Sequence, residues 1–308
     1  MTGNKILRQL KIQTVLISIM IFVLSGYSRP LEAGQGRPVL VTTIFPLTEL
    51  ARGVGGDRAE IRQIIPPSSE IHHFQLTPSD LKLLAEADLL LAVGGGLEPW
   101  LVRLEKSLSK IKSTRTLRFF DYLSSIGYPA LRRDDPHIWL DFEADLILIS
   151  RLAEELSALD PEGAGYYRER KLVLAAELSA LDGRYRKELG ACSGKEIIIA
   201  GHQAFAYLAA RYGLVPVSLS GPHPEAQPGA RRLQEIIRLI KEKKIRAVFY
   251  EASEPPAYAR TLARETGARL FSLSAGVNLT GAQLRDGKTF LDLMTDNLDI
   301  LKDALECE

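Results

Sequence analysis

Imidazole is the side chain best suited to hold a divalent transition metal as a neutral nitrogen donor. The 308-residue chain has five: His72, His73, His137, His202 and His223. His72 and His73 are adjacent in "SSEIHHFQLTPSDL" (68–81), His137 follows 65 residues after His72 in "DDPHIWLDF", and His202 a further 65 on in "GHQAFAYL". Spacings this long exclude a locally folded zinc finger, and two cysteines are too few for one. Taken singly, each histidine is more often a hydrogen-bonded loop residue. Brought together, they would form a metal site built from distant parts of the chain.

The elements that could gather them alternate along the sequence. "VLVTTIF" (39–45), "AEIRQII" (59–65), "DLLLAV" (88–93) and "TLRFF" (116–120) are short apolar or β-branched runs closed by Gly, Pro or Asp, with helical patterns between them. Apolar strands interleaved with helices predict a parallel sheet covered on both faces. A helix is expected from residue 78 to 87, with Thr77 as N-cap, Pro78 at its first position and Asp80 in its first turn. The alternation resumes after residue 195 with "EIIIAG", "VPVSLS", "IRAVFYE" and "ARLFSLS", separated by helical patterns at 203–211, 229–243 and 256–266. Between the halves, residues 160–190 read as one helix opened by Pro161, a rod of roughly 40 Å at 1.5 Å per residue. The expected architecture is α/β: a lobe at 34–160, a linking helix at 161–190 and a second lobe at 191–308, each lobe with a mainly parallel four-stranded sheet. His72, His137 and His202 then fall past strand carboxyl ends, the edge at which such sheets bind ligands. "GGGLEP" (94–99) lacks the glycine spacing and lysine of a phosphate loop and reads as a turn.

With 46% hydrophobic and 25% charged residues, the composition is that of a well-cored globular protein. The first 33 residues differ. Lys5, Arg8 and Lys11 precede the apolar run "TVLISIMIFVLSG" (14–26), and a small-residue stretch ends in "LEAGQG". That pattern predicts a secretory signal peptide, 1–33, cleaved near Ala33; the run is shorter than the roughly 20 residues of a membrane span, the alternative being a retained anchor. With no cysteine at the cleavage region, a lipid anchor is not expected. Removing Lys5, Arg8, Lys11, Arg29 and Glu32 from 39 basic and 38 acidic side chains leaves 35 and 37, a net charge of −2. Such a surface has neither the basic face of a nucleic-acid binder nor a polybasic membrane patch. Export would let a Cys192–Cys307 disulfide persist, the alternative being two buried thiols.

"HHFQLTPSDL", "DPHIWLD", "GHQAFAYLAARYGL", "SGPHPEAQP" and "LARETGARL" resemble, in order, segments of the zinc and manganese ABC-transporter substrate-binding proteins, the cluster A-I or ZnuA/TroA-like family. The likeness covers essentially the whole mature chain. It implies a TroA-like fold with a helical backbone. It also implies a monomeric periplasmic binding protein, not an enzyme, that captures Zn²⁺ between its lobes and delivers it to an ABC permease and its ATPase. The family's first motif runs D-P-H-x-F-E-P-T-P-S-D. Setting "TPSD" in register puts the first ligand on His72 and leaves His73 beside the site or facing solvent. The second ligand matches His137 and the third His202, where manganese-specific members usually have glutamate. Imidazole there agrees with Zn²⁺ over Mn²⁺, which prefers oxygen.

The chain also departs from that pattern. "EIHHFQL" lacks the Asp-Pro before the histidine and the Glu-Pro after the aromatic, and the His- and Asp-rich loop of many zinc members is missing. Ser274 stands where the family often has an aspartate ligand. The fourth position is therefore expected to go to water, Glu70 or Glu251, with a hinge or capping role as the alternative for Glu251. His223 and Glu225 are loop residues without an assigned role. The other functional readings are a manganese-binding member of the family or a secreted zinc hydrolase, since three histidines and an open position are also the plan of a catalytic zinc. No HExxH or nucleophile elbow accompanies them.

Overall fold

The computed structural model describes residues 36–72, 74–102, 104, 114–221 and 228–307. The expected signal segment, His73, His223 and Glu225 lie outside the described residues. β1 (Val39–Thr42), β2 (Glu60–Gln63), β3 (Leu89–Ala92) and β4 (Arg115–Arg118) pair in parallel in the order β2-β1-β3-β4. β5 (Glu196–Ile199), β6 (Val215–Ser218), β7 (Ala247–Glu251) and β8 (Arg269–Leu273) repeat that winding as β6-β5-β7-β8. The all-apolar runs are the central strands: Leu40, Val41, Leu89, Leu90 and Leu91 are at most 1% exposed, because helices cover both faces.

Ten helices are described: α1 Phe45–Gly55, α2 Pro78–Glu86, α3 Phe119–Ser125, α4 Phe142–Leu159, α5 Ala164–Gly190, α6 Ala206–Arg211, α7 Ala230–Lys243, α8 Ala257–Thr266, α9 Gly281–Arg285 and α10 Phe290–Ala304. α2 begins on a full capping box between Thr77 and Asp80. The linking helix starts three residues later than Pro161 indicates. Pro161–Gly163 form a 3-10 turn in which the Asp160 carboxylate accepts the Gly163 N–H while paired with Arg58. α5 still runs 27 residues, about 40 Å. α6 begins at Ala206 rather than 203, because Gln203 N–H donates to Gly221 and Ala204 N–H to His202. His202 is thus held on a loop between strand and helix.

Gly94, Gly95 and Gly96 all have positive φ (77°, 58° and 91°), a run that only glycine adopts readily. The turn closes on the buried carboxylate of Glu98, which accepts the Val93 and Gly94 N–H groups and the Thr43 hydroxyl. Burial raises its pKa against those three bonds. A turn that supplies its own acid leaves no cradle for a phosphate. Cys192 and Cys307 are disulfide-bonded, fastening the chain just after α5 to the chain just after α10. Among the described residues, no helix is long and apolar enough to cross a membrane.

Candidate metal centre

His72 lies between β2 and α2, after Pro66-Pro67. The loop is fixed by buried Ile71 and by a 2.6 Å bond from Leu279 N–H to the Pro67 carbonyl. His72 is half-buried, and its backbone N–H donates to Glu70 Oε1 at 3.0 Å. His137 precedes a 3-10 turn, Ile138–Leu140, and is 1% exposed. Asp135 Oδ1 accepts its backbone N–H at 3.0 Å and lies 2.7 Å from its Nδ1. Trp139, fully buried, packs beside that ring and donates from Nε1 to the Ala275 carbonyl. His202 follows β5 and is 8% exposed, with Nδ1 3.3 Å from Glu254 Oε1 and 3.9 Å from Glu251 Oε2.

The three rings meet. Their centroids are separated by 6.0 Å (His72–His137), 5.7 Å (His72–His202) and 5.3 Å (His137–His202), and one ligand atom of each lies within 4.8 Å of the others. A carboxylate beside Nδ1 of His137 and of His202 favours the Nδ1–H tautomer, which puts the ring lone pair on Nε2 and orients the ring.

Burial lowers the pKa of His202, but the Glu254 hydrogen bond and the charges of Glu251, Glu254 and Glu70 outweigh it and raise the value above normal. Glu251 is pushed up to about 7, first by burial and then by Glu254 and Glu70, against the pull of His202. The centre therefore holds more negative potential than the three histidines alone would show. That favours a cation.

Among the described residues, the carboxylates expected at the fourth position do not join the three-histidine group. Glu251 instead groups with Glu254 around His202, and Glu70 accepts the His72 backbone N–H. Ser274 is buried and serves its own loop: its Oγ accepts Gly276 N–H, and Asn297 brackets its backbone with bonds of 2.9 and 2.8 Å. Two residues of the centre went unread in the sequence, Asp135 and Glu254. The signals were an acid two residues before His137 in "DDPH", and a second glutamate three residues past Glu251 in "EASEPP".

Comparison with known proteins follows the same lines. Residues 40–304 match the family model ZnuA, described as zinc-uptake complex component A, periplasmic. The zinc-binding lipoprotein AdcA of Streptococcus pneumoniae is 28% identical over 310 residues; the match takes in 97% of this chain, which spans only 62% of that relative's length. The high-affinity zinc uptake system protein ZnuA of Bacillus subtilis is 28% identical over 278 residues, 86% of this chain and 87% of the relative. The solved Zn(II)-bound ZnuA-like domain of Streptococcus pneumoniae AdcA superposes with a TM-score of 0.75 at 28% identity, over 88% of this chain and all of that one. The chain belongs to the ZnuA family of periplasmic zinc-uptake components.

Proposed function

We propose that this chain is the exported zinc-capturing component of an ABC-type importer, taking Zn²⁺ as cargo on His72, His137 and His202 and passing it to a membrane permease driven by its ATPase. The observation that carries this reading is the convergence of three imidazoles, two from the first α/β half and one from the second, with ligand atoms within 4.8 Å. Zn–N bonds of about 2.0–2.1 Å place tetrahedral ligand atoms about 3.3 Å apart, so a small inward adjustment completes the geometry. Three borderline nitrogen donors suit Zn²⁺ better than Mn²⁺. Water fills the fourth position in this reading, leaving the cargo with one exchangeable ligand for release.

The same reading includes cleavage near Ala33, a monomeric periplasmic product, and lobes at 34–160 and 191–308 joined by the helix at 161–190, a linker long enough to restrict hinge motion. It is a capture site without turnover. The acids nearest His202 lie against its Nδ1, the nitrogen directed away from bound metal.

Calorimetry of metal-stripped chain against Zn²⁺ and Mn²⁺, run beside an ester-hydrolysis assay, tests the proposal. One tightly held Zn²⁺ per chain, weaker Mn²⁺ and no zinc-dependent turnover is the expected result. Absence of saturable zinc binding would refute capture, and turnover lost in His202→Ala would convert the reading to the hydrolase. N-terminal sequencing of exported protein tests the cleavage site.

A further inference from the structure

Five residues after His202, the chain carries Tyr207, on α6 and 2% exposed. Its hydroxyl crosses to the first half of the molecule. It accepts the Arg132 N–H at 2.8 Å and stands 3.2 Å from the Arg132 carbonyl and 3.1 Å from the Asp135 carbonyl, to one of which it donates. Residues 132–135 form a turn closed by Asp135 N–H on the Arg132 carbonyl. The side chain of that same Asp135 holds both the backbone and Nδ1 of His137. A continuous path of short polar contacts thus runs from the helix after His202 to the ring of His137.

One helical turn on, at the i+4 position that shares a face with Tyr207, Arg211 makes a second crossing. Its Nη1 reaches Asp141 at 3.0 Å and Glu143 at 2.9 Å, and its Nε reaches Asp182 on the linking helix at 2.7 Å. Asp141 caps α4 and accepts the Tyr128 hydroxyl, so Arg211 grips the segment that follows His137. These groups are mostly buried. A buried charge pair cannot part without leaving an uncompensated ion, so the arrangement resists slippage.

We propose that Tyr207, supported by Arg211, is a positioning clamp that sets His137 against His202 before metal arrives, so that the two form a preset pair which His72 completes. The proposal deepens the three-histidine reading and rests on it. A ligand displaced by half an ångström binds less well than one held in place, and that tolerance gives the clamp a measurable effect on metal affinity.

The test is Tyr207→Phe in the full chain, which removes one oxygen and keeps the ring. Zn²⁺ affinity is read by competition with a chromophoric chelator, and coordination by the visible absorption of bound Co²⁺. The expected result is a 10- to 100-fold loss of Zn²⁺ affinity, the range for groups that support a ligand, and an altered Co²⁺ spectrum, beside a modest drop in the thermal midpoint of the metal-free protein from the lost hydroxyl bonds. In a His137→Ala background the same substitution should cost less than about threefold, since the held ligand is gone. Arg211→Lys keeps the charge but loses the fork, and should weaken Zn²⁺ in the same direction even if Tyr207→Phe folds poorly. Parent-like Zn²⁺ affinity and Co²⁺ spectrum in both variants would overturn the clamp, whatever happens to thermal stability. Unchanged affinity in His137→Ala itself would instead overturn the three-histidine reading.

Discussion

The two sheets share one winding but are stabilised by different means. The first lies in a core that runs without a break through α1, α4 and α5, with Trp139, Phe142, Tyr167 and Tyr185 fully buried in it. The second sheet is divided. Ile197, Ile199 and Phe249 face that main core, while their neighbours Ile198 and Val248 point the other way, into a separate cluster of nine buried residues closed by α7 and α8. The period-2 alternation of strand side chains makes that division inevitable. One half is thus secured by apolar bulk, whereas the other adds a small satellite core and a covalent tie between Cys192 and Cys307. The site straddles them, with His72 and His137 from the bulky half and His202, Glu251 and Glu254 from the tied one.

The largest expected effect removes a ligand. His137→Ala and His202→Ala should each weaken Zn²⁺ by orders of magnitude in calorimetric titration, because in the proposed site each supplies one of only three imidazole ligands. If the site truly needs both halves, neither variant recovers affinity when the other histidines remain. A loss confined to one of them would show a site belonging to a single half.

Opening the disulfide comes next, and bears directly on the comparison. In the chain-entropy view, a bridge spanning 115 residues contributes roughly 4 to 5 kcal/mol, and measured losses on removal are about 2 to 5 kcal/mol. Cys192→Ser with Cys307→Ser should lower denaturant stability by that amount. Amide exchange should quicken in β5–β8 while β1–β4 keep their protection. Uniform loosening of both sheets would mean that the halves do not differ in the way the packing indicates.

Much of this was legible in the sequence, and the exceptions have a common cause. The strands were readable because "DLLLAV" and "EIIIAG" can only be buried on both faces, and α2 because Thr77, Pro78 and Asp80 are local signals. His72 and His202 were readable as residues past strand ends, whereas His137, expected after the fourth strand, lies beyond α3 and before a 3-10 turn; the three were readable together through resemblance to a family. Asp135 and Glu254 were not: the side chain of each bears on the site through its contact with a histidine, and nothing in a lone acid states which way it turns. The start of α6 was missed for a related reason. Gln203 and Ala204 have helical neighbours in sequence, but their N–H groups are taken by Gly221 and His202. Long-range hydrogen bonding overrode a local preference.

Glu254→Gln probes one of those unread contacts. The amide keeps the shape but loses the charge that holds His202 Nδ1 at 3.3 Å, so Zn²⁺ affinity should fall about 10- to 100-fold. A ligand role at the fourth position would cost more and would change the Co²⁺ spectrum, so the two measurements distinguish support from ligation.

The smallest expected effect lies in the bulky half. Asp145, on α4, has no exposed surface, and neither carboxylate oxygen has a hydrogen-bond partner among the described residues. Burial foremost, with Asp141 one turn back, raises its pKa well above the ordinary value, and Arg211 only partly opposes this. The folded protein therefore retains a proton that the unfolded chain gives up near pH 4. With more protons bound in the folded state, this group's contribution to stability falls as pH rises from about 4 towards the folded value. Asp145→Asn removes that titration. Urea unfolding at a series of pH values should show the variant with a flatter profile over that window and, at the upper end, more stable than the parent by about 1 kcal/mol. A half with a large continuous core can carry one unpartnered carboxyl at that cost, whereas the same defect in the nine-residue cluster would remove a much larger share of what holds it together. If Asp145→Asn proves less stable than the parent at every pH, the carboxyl has a stabilising partner, and the bulky half depends on polar contacts more than its packing indicates.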